Sequence, residues 1–122
     1  MADDLARDPD CLFCRIVAGE IPSDRVLEDD LVIVFRDVNP RAPTHVLAIP
    51  RRHVPSIHTL TDSREDRALL AALFAALRRV ADEAGLGSGY RVVTNVGPAA
   101  GQSVPHLHLH LLGGRSMSWP PG

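Results

Sequence analysis

The chain has 122 residues, of which 45% are hydrophobic and 23% charged, and its formal net charge is −2. This composition is typical of one globular domain, and the lack of positive charge argues against nucleic acid as an electrostatic partner. The apolar runs are far shorter than the roughly 20 residues of a membrane helix, so we also expect no membrane partner.

Two cysteines follow an acidic N-terminal segment that has none of the features of a secretory signal. Residues 1–10 are predicted to be a flexible tail, ahead of a domain that occupies residues 11–122. Cysteines in such a chain are expected to be thiols or metal ligands in a reducing compartment, which predicts a cytoplasmic protein.

A short helix is predicted over residues 11–18, where apolar residues have helical spacing and Gly19 follows. A long helix is predicted to begin near Ser63, which stands three residues before Asp66 as in a capping box, and to end at Gly85. Five other segments have the alternation or β-branched content of strands, namely 25–28, 31–38, 45–49, 90–96 and 105–112. Five short strands with one long and one short helix predict an α+β domain on an antiparallel sheet.

The last predicted strand alternates histidine with leucine. Since successive residues of a strand face opposite sides, His106, His108 and His110 would project from one face and the intervening leucines from the other. The leucines can then bury in the core, while the imidazoles are expected to line a surface as an anion site that titrates near neutral pH.

The histidine pattern alone leaves three interpretations open: incidental polar residues on a half-buried strand, ligands of a catalytic zinc, or potential nucleophiles beside a phosphate site. The preceding loop, residues 97–103, favours the third. The backbone N–H groups around Gly101, the amide of Gln102 and the hydroxyl of Ser103 could converge on a phosphate just before the histidines.

The run HLHLHLL over residues 106–112 resembles the signature of the histidine triad (HIT) superfamily. Further segments are similar to its nucleotide-binding, or nucleoside phosphoramidase, branch: residues 13–22, 37–38, 42–45, 49–50, 89–91, 101–104 and 113–122. The resemblance covers nearly everything from Cys11 onward, although Pro105 stands where the branch more often has an aromatic residue.

The resemblance implies a two-step hydrolysis of purine nucleoside 5′-monophosphoramidates, and perhaps of acyl-adenylates, through a covalent nucleotidyl-histidine. His108 would attack the α-phosphorus, and water would then cleave the intermediate. His110 would stabilise the charge on the phosphate oxygens, and His45 would support the triad, to which His106 also belongs. No cofactor is needed for this chemistry.

The resemblance also implies the contacts of a bound purine nucleoside monophosphate. Phe13 and Ile16 would sandwich the base, and Asp37 with the main chain of Val38 would bind the ribose. Asn95 and Ser103, with the Gly101–Gln102 segment, would contact the phosphate and the leaving group. Phe13 and Ile16 could equally be core residues, Asp37 could initiate a turn, Asn95 could cap a loop, and His45 could be an ordinary polar residue.

Cys11 and Cys14 have the spacing of two thiolate ligands of one metal ion. Two reduced, buried cysteines or a redox pair would have the same spacing. A redox motif requires a strand before its first cysteine, and no strand is predicted before Cys11. By resemblance to some bacterial members, His53 and His106 would complete a structural Cys₂His₂ zinc site.

Other functions within reach of the same resemblance are dinucleoside polyphosphate hydrolysis and a purine-nucleotide-binding regulatory scaffold with vestigial hydrolysis. The C-terminal segment 113–122 resembles the phosphoramidase branch and argues against the first, and the complete triad argues against the second. Members of the family pair through the long helix and the fourth strand, so we expect a homodimer with one continuous sheet.

Overall fold

A computed structural model describes residues 7–122. In chain order its elements are α1 (Leu12–Val17), β1 (Arg25–Glu28), β2 (Val32–Arg36), β3 (Thr44–Pro50), α2 (Arg64–Glu83), β4 (Tyr90–Val93) and β5 (Leu109–Gly113). Short 3₁₀ turns at Ile57–Thr59 and Pro98–Ala100 lie in the connections. The strands form one antiparallel sheet in the order β1-β2-β3-β5-β4, which confirms the predicted α+β fold.

The sheet buries both of its faces. One face packs against α2, where Leu107, Leu109 and Leu111 join the apolar stripe of the helix in the larger core. The other face packs against α1 in a smaller core that includes Phe13 and Ile16. The predicted alternation in the histidine segment is confirmed, since its leucines lie in the α2 core and its histidines face the α1 side.

Helix α2 begins as predicted but with half of the expected capping box. The Ser63 hydroxyl accepts a hydrogen bond from the Asp66 N–H at 3.1 Å. The Asp66 carboxylate does not return this contact to Ser63; it accepts from Thr61 N–H at 2.8 Å and pairs with Arg52 at 2.5 Å. These donors lower the pKa of Asp66, the Thr61 backbone N–H most strongly. Gly85, with φ of 71°, follows the helix as predicted.

The main correction concerns β5, which begins at Leu109 and not at Pro105. The N–H of His106 donates to Val104 at 2.8 Å, and that of Leu107 donates to Val54 at 2.6 Å, so neither joins the ladder with β3. Strands β2 and β4 are likewise shorter than the predicted segments 31–38 and 90–96. These two segments run on into turns that the β-branched pattern does not distinguish from strand.

Part of the predicted N-terminal tail, residues 1–6, lies outside the described residues. Asp8 and Asp10 form a turn against α1, because the Cys11 N–H donates to the Asp8 carbonyl at 3.0 Å and the Asp10 N–H donates to the Asp8 carboxylate at 2.9 Å. Within residues 7–122, neither helix has the length and apolarity that crossing a bilayer requires.

Candidate functional site

The three histidines lie at and just before the start of β5. His106 and His108 precede the strand, and His110 is its second residue. His106 is fully buried and His108 is 6% exposed, whereas His110 is half-buried. The expectation that all three imidazoles line a surface is therefore wrong for His106, whose ring faces the α1 core and the two cysteines, and His108 keeps only a small part of its surface exposed.

The backbone selects the tautomer of His108. Its Nδ1 lies 2.7 Å from the carbonyl oxygen of His106. A carbonyl can only accept a hydrogen bond, so the Nδ1 atom must carry the proton. The neutral ring then has its lone pair on Nε2, which is the atom that can attack an electrophile.

A second backbone group orders His45 and His110. The N–H of Arg41 donates to His45 Nδ1 at 3.0 Å, which leaves the proton of that ring on Nε2. His45 Nε2 lies 3.0 Å from His110 Nδ1 and donates to it. The remaining nitrogen of His110, Nε2, is then protonated and can donate a hydrogen bond to a bound oxyanion.

Burial keeps this pair of imidazoles neutral. The pKa of His110 is lowered to about 4, mainly by loss of hydration and also by the nearby His108 and His45. Burial also lowers the pKa of His45, although the Asp37 carboxylate, whose Oδ2 lies 3.4 Å from His45 Nε2, acts in the opposite direction. At neutral pH His110 is therefore a neutral hydrogen-bond donor and not a cation.

The proposed ribose ligands lie beside this pair. Asp37 Oδ1 accepts a hydrogen bond from the Asn39 N–H at 2.8 Å, so the carboxylate holds the turn that the Asn-Pro sequence suggested. Its other oxygen faces His45. The neighbouring Val38 is 91% exposed. Both residues stand on the connection between β2 and β3, next to the histidines.

The loop before the histidines is closed on itself. The N–H groups of Ala100, Gly101 and Gln102 donate to carbonyls within the loop. The Gln102 side chain accepts from the Gly97 N–H at 2.8 Å and donates to the Pro55 carbonyl at 2.7 Å. These backbone donors are thus engaged and do not form the expected phosphate cradle, while Ser103 lies exposed where the loop ends.

Phe13 and Ile16, the expected base-binding residues, are buried in the α1 core at 5% and 6% exposure. The Phe13 ring meets His108 edge-on, with centroids 5.1 Å apart. Asn95 is half-buried after β4. Next to it, the Thr94 hydroxyl donates to the His108 carbonyl at 2.9 Å.

The four expected metal ligands, Cys11, Cys14, His53 and His106, come together on the α1 face. One potential ligand atom from each lies within 4.8 Å of the others. His106 Nδ1 is 3.3 Å from Cys11 Sγ and 3.3 Å from His53 Nδ1. Cys14 Sγ is 3.2 Å from His53 Nδ1 and 3.5 Å from His106 Nδ1. The two cysteines are free and buried.

These distances fit a tetrahedral zinc ion. Zinc bonds of about 2.3 Å to sulfur and about 2.0 Å to nitrogen give tetrahedral edges of roughly 3.5 Å between sulfur and nitrogen and roughly 3.3 Å between two nitrogens. The chemistry of the donors fits as well. His106 Nε2 lies 2.9 Å from the Pro50 carbonyl oxygen and must donate to it, so Nε2 carries the proton of the ring. The lone pair is then on Nδ1, which faces the thiols. When bound, the metal would supply a structural crosslink between α1, His53 and the β5 segment.

Backbone N–H groups reach both sulfur atoms. Cys11 is the N-cap of α1 and its Sγ accepts from the Cys14 N–H at 3.3 Å, while Cys14 Sγ accepts from the Asp8 N–H at 3.4 Å. Burial nevertheless raises the pKa of Cys14 to about 11. A bound metal ion would stabilise the buried thiolate that this raised pKa disfavours, since thiolates bound to zinc are deprotonated outright.

Asp37, His45 and His110 also place three potential ligand atoms within 4.8 Å of one another. The Arg41 N–H occupies the lone pair of His45 Nδ1, however, so the proton of that ring stays on Nε2, the nitrogen that faces the cluster. A protonated nitrogen cannot bind a metal. This cluster is a hydrogen-bonded relay.

Sequence reasoning missed three residues that hold the site through single atoms. These are the Arg41 amide, the Pro50 carbonyl and the Thr94 hydroxyl, which fix His45, His106 and His108 respectively. The Arg41 amide and the Pro50 carbonyl are backbone groups and carry no sequence signal. Thr94 acts through its side chain, but no motif in the sequence singles it out.

Comparison with known proteins gives consistent matches over most of the chain. The HIT domain family matches residues 18–117. The uncharacterized HIT-like protein of Synechococcus elongatus is 51% identical over 113 residues, covering 93% of this chain and 97% of the relative. The 14 kDa zinc-binding protein of Zea mays is 49% identical over 117 residues, covering 94% and 90%.

Among solved structures, a HIT family hydrolase from Legionella pneumophila superposes with a TM-score of 0.88 at 49% identity, covering 93% of this chain and all of that one. The fold, the histidine segment and the relatives therefore all indicate the HIT superfamily and, within it, the hydrolases. The chain belongs to the HIT domain family.

Proposed function

We propose that this protein is a purine nucleoside phosphoramidase, which hydrolyses the P–N bond of nucleoside 5′-monophosphoramidates through a covalent intermediate on His108. The observation that carries the proposal is the hydrogen bond from His108 Nδ1 to the His106 carbonyl. It places the lone pair of a neutral imidazole on Nε2, which is the requirement for an uncharged nucleophile at neutral pH.

In the first step, His108 Nε2 attacks the α-phosphorus and forms a new P–N bond. The bond to the leaving nitrogen breaks, and the amine departs after taking up a proton. In the second step, water attacks the same phosphorus, its proton passes to solvent, and the bond to His108 breaks to release the monophosphate. His110 Nε2–H donates to a non-bridging oxygen and stabilises the charge in both steps.

The remaining nucleotide contacts are part of the same proposal. Asp37 and the Val38 main chain bind the ribose beside the relay, and Ser103 and Asn95 contact the phosphate and the leaving group. Phe13 and Ile16 form the base-binding side of the site, through the small part of their surface that stays exposed. The same residues would accept acyl-adenylates, in which carboxylate leaves in place of amine.

We also propose that Cys11, Cys14, His53 and His106 bind a structural zinc ion in a reducing cytoplasm. The four ligand atoms and the free cysteines support it, and so does the similarity to the 14 kDa zinc-binding protein of maize. Catalysis itself needs no cofactor, since His108 supplies the nucleophile.

A homodimer is the proposed assembly. Strand β4 lies at the edge of the sheet, and its exposed Tyr90 and Val92 adjoin Phe74 of α2, which is 47% exposed. An unpaired strand beside exposed apolar side chains favours pairing with a second copy, which would extend the sheet across the two protomers.

The test is the release of AMP from adenosine 5′-phosphoramidate by the zinc-loaded protein. His108→Ala is expected to abolish turnover, and His58→Gln, which changes an exposed histidine outside both clusters, is the matched control. No turnover by the folded wild type would refute the proposal. Dinucleoside polyphosphates would then be assayed, and nucleotide affinity that survives His108→Ala without turnover would identify a binding scaffold.

A further inference from the structure

His106 belongs to two clusters at once. Its side chain lies in the group of metal ligands, and its backbone carbonyl accepts the hydrogen bond that defines the tautomer of His108. We infer that the Cys₂His₂ centre holds His108 in its attacking tautomer and orientation, with His106 and Phe13 as positioning residues. The inference rests on the proposed nucleophilic role of His108.

The first connection runs through the backbone of His106. Its ring is fixed at both nitrogens, by the ligand cluster at Nδ1 and by the Pro50 carbonyl at Nε2. Its N–H donates to Val104 at 2.8 Å. The peptide plane that carries its carbonyl is held on the other side by the Leu107 N–H, which donates to Val54 at 2.6 Å. With the ring and both amides held, the direction of the carbonyl is restricted, and the 2.7 Å contact to His108 Nδ1 depends on that direction.

The second connection is the ring of Phe13. This residue stands between Cys11 and Cys14 in the first turn of α1, so the two sulfur ligands on either side determine where it lies. Its ring contacts His106 and His108 edge-on, with centroid distances of 5.8 Å and 5.1 Å and interplanar angles of 80° and 82°. The two connections reach the same imidazole from different elements.

Loss of the metal would loosen both connections together. Without it, His106 Nδ1 faces two thiols and the ring of His53, contacts that do not define one arrangement. A small rotation of the His106 carbonyl would weaken its hydrogen bond and let the proton of His108 move from Nδ1 to Nε2. A ring protonated at Nε2 has no lone pair on the attacking atom, so that fraction of molecules cannot react.

The experiment compares zinc-loaded wild type, chelator-treated wild type and His53→Gln, with His58→Gln as the control that keeps every ligand. The tautomer of His108 is read from long-range ¹H–¹⁵N spectra at one fixed alkaline pH, where imidazoles are neutral. AMP release gives kcat and KM on the same samples, and circular dichroism verifies the fold.

The zinc-loaded wild type and His58→Gln should show a single Nδ1–H tautomer. The chelator-treated wild type and His53→Gln, which lacks one of the four metal ligands, should show a mixture of tautomers and a kcat about 10- to 100-fold lower, with little change in KM. A single tautomer at unchanged kcat without metal would overturn the inference, as would a changed tautomer without loss of rate. If the zinc-loaded wild type has no turnover, the proposed function fails, and the tautomer measurement still decides the positioning.

Discussion

His45 Nε2 lies 3.0 Å from His110 Nδ1, and this contact determines which nitrogen of His110 faces the site. The chain of donors begins at the Arg41 amide, passes through His45, and leaves a proton on the outward nitrogen of His110. Through this relay, the Arg41 N–H fixes the proton of His110 on Nε2, which can donate a hydrogen bond to an oxyanion without adding positive charge.

The relay predicts different effects for two substitutions of His45. His45→Ala removes the donor to His110 Nδ1 and should lower kcat/KM for adenosine 5′-phosphoramidate by about 10- to 100-fold. His45→Gln should recover much of the rate, because an amide can accept from Arg41 and donate to His110 with its two ends. Equal rates for His45→Ala and wild type would show that the relay has no part in the reaction.

The low pKa of His110 predicts a loss of stability in acid. The unfolded chain binds a proton at the ordinary histidine pKa of about 6.5, but the folded protein does so only near 4. Stability is therefore fully present above the unfolded value and falls as the pH drops from 6.5 to 4. This residue can contribute up to about 1.4 kcal/mol per pH unit to the free energy of unfolding.

The measurement is urea unfolding of wild type, His110→Gln and His58→Gln across that pH window. His110→Gln should have a shallower dependence on pH than wild type, since one low-pKa group is gone. His58→Gln is the control, because it replaces an exposed histidine outside the site. If the slopes of wild type and His110→Gln coincide, burial does not hold His110 neutral.

Much of the fold could be predicted from the sequence, because it depends on side-chain periodicity. The alternation around His108 separates core leucines from site histidines, and Ser63 marks the start of α2 by its hydroxyl. The start of β5 could not be predicted in this way. It depends on where the N–H groups of His106 and Leu107 find carbonyls, and one of those carbonyls is on Val54, far away in the chain.

The candidate site was predictable as a set of residues but not as an arrangement. The spacing of the two cysteines indicated a metal site, and the resemblance identified its two histidines and His45. The structure brings His45 to His110 and the four ligands to one another. The tautomers were not predictable, since they follow from carbonyl and amide groups of Pro50 and Arg41 that carry no sequence signal. The burial of His106 follows from its place among the metal ligands.

The raised pKa of Cys14 predicts that zinc binds more tightly as the pH rises. Its thiol, with a pKa of about 11, must lose a proton to bind the metal, so each pH unit should increase the apparent affinity by about tenfold for that proton. The measurement is competition with a chromophoric chelator at two pH values above 7. An affinity that does not change with pH would contradict a thiolate ligand at Cys14.

The exposed apolar residues of α2 and β4 indicate which substitution should dissociate the proposed dimer. Phe74, 47% exposed beside Val92, should lie within the interface, so Phe74→Glu would bury a carboxylate against the partner and should yield a monomer in light scattering coupled to size exclusion. Leu31→Glu is the matched control, because Leu31 is similarly exposed at 45% but lies in the β1–β2 turn at the opposite edge of the sheet. A monomeric wild type at micromolar concentration would refute the dimer, and a dimer that survives Phe74→Glu would place the interface elsewhere.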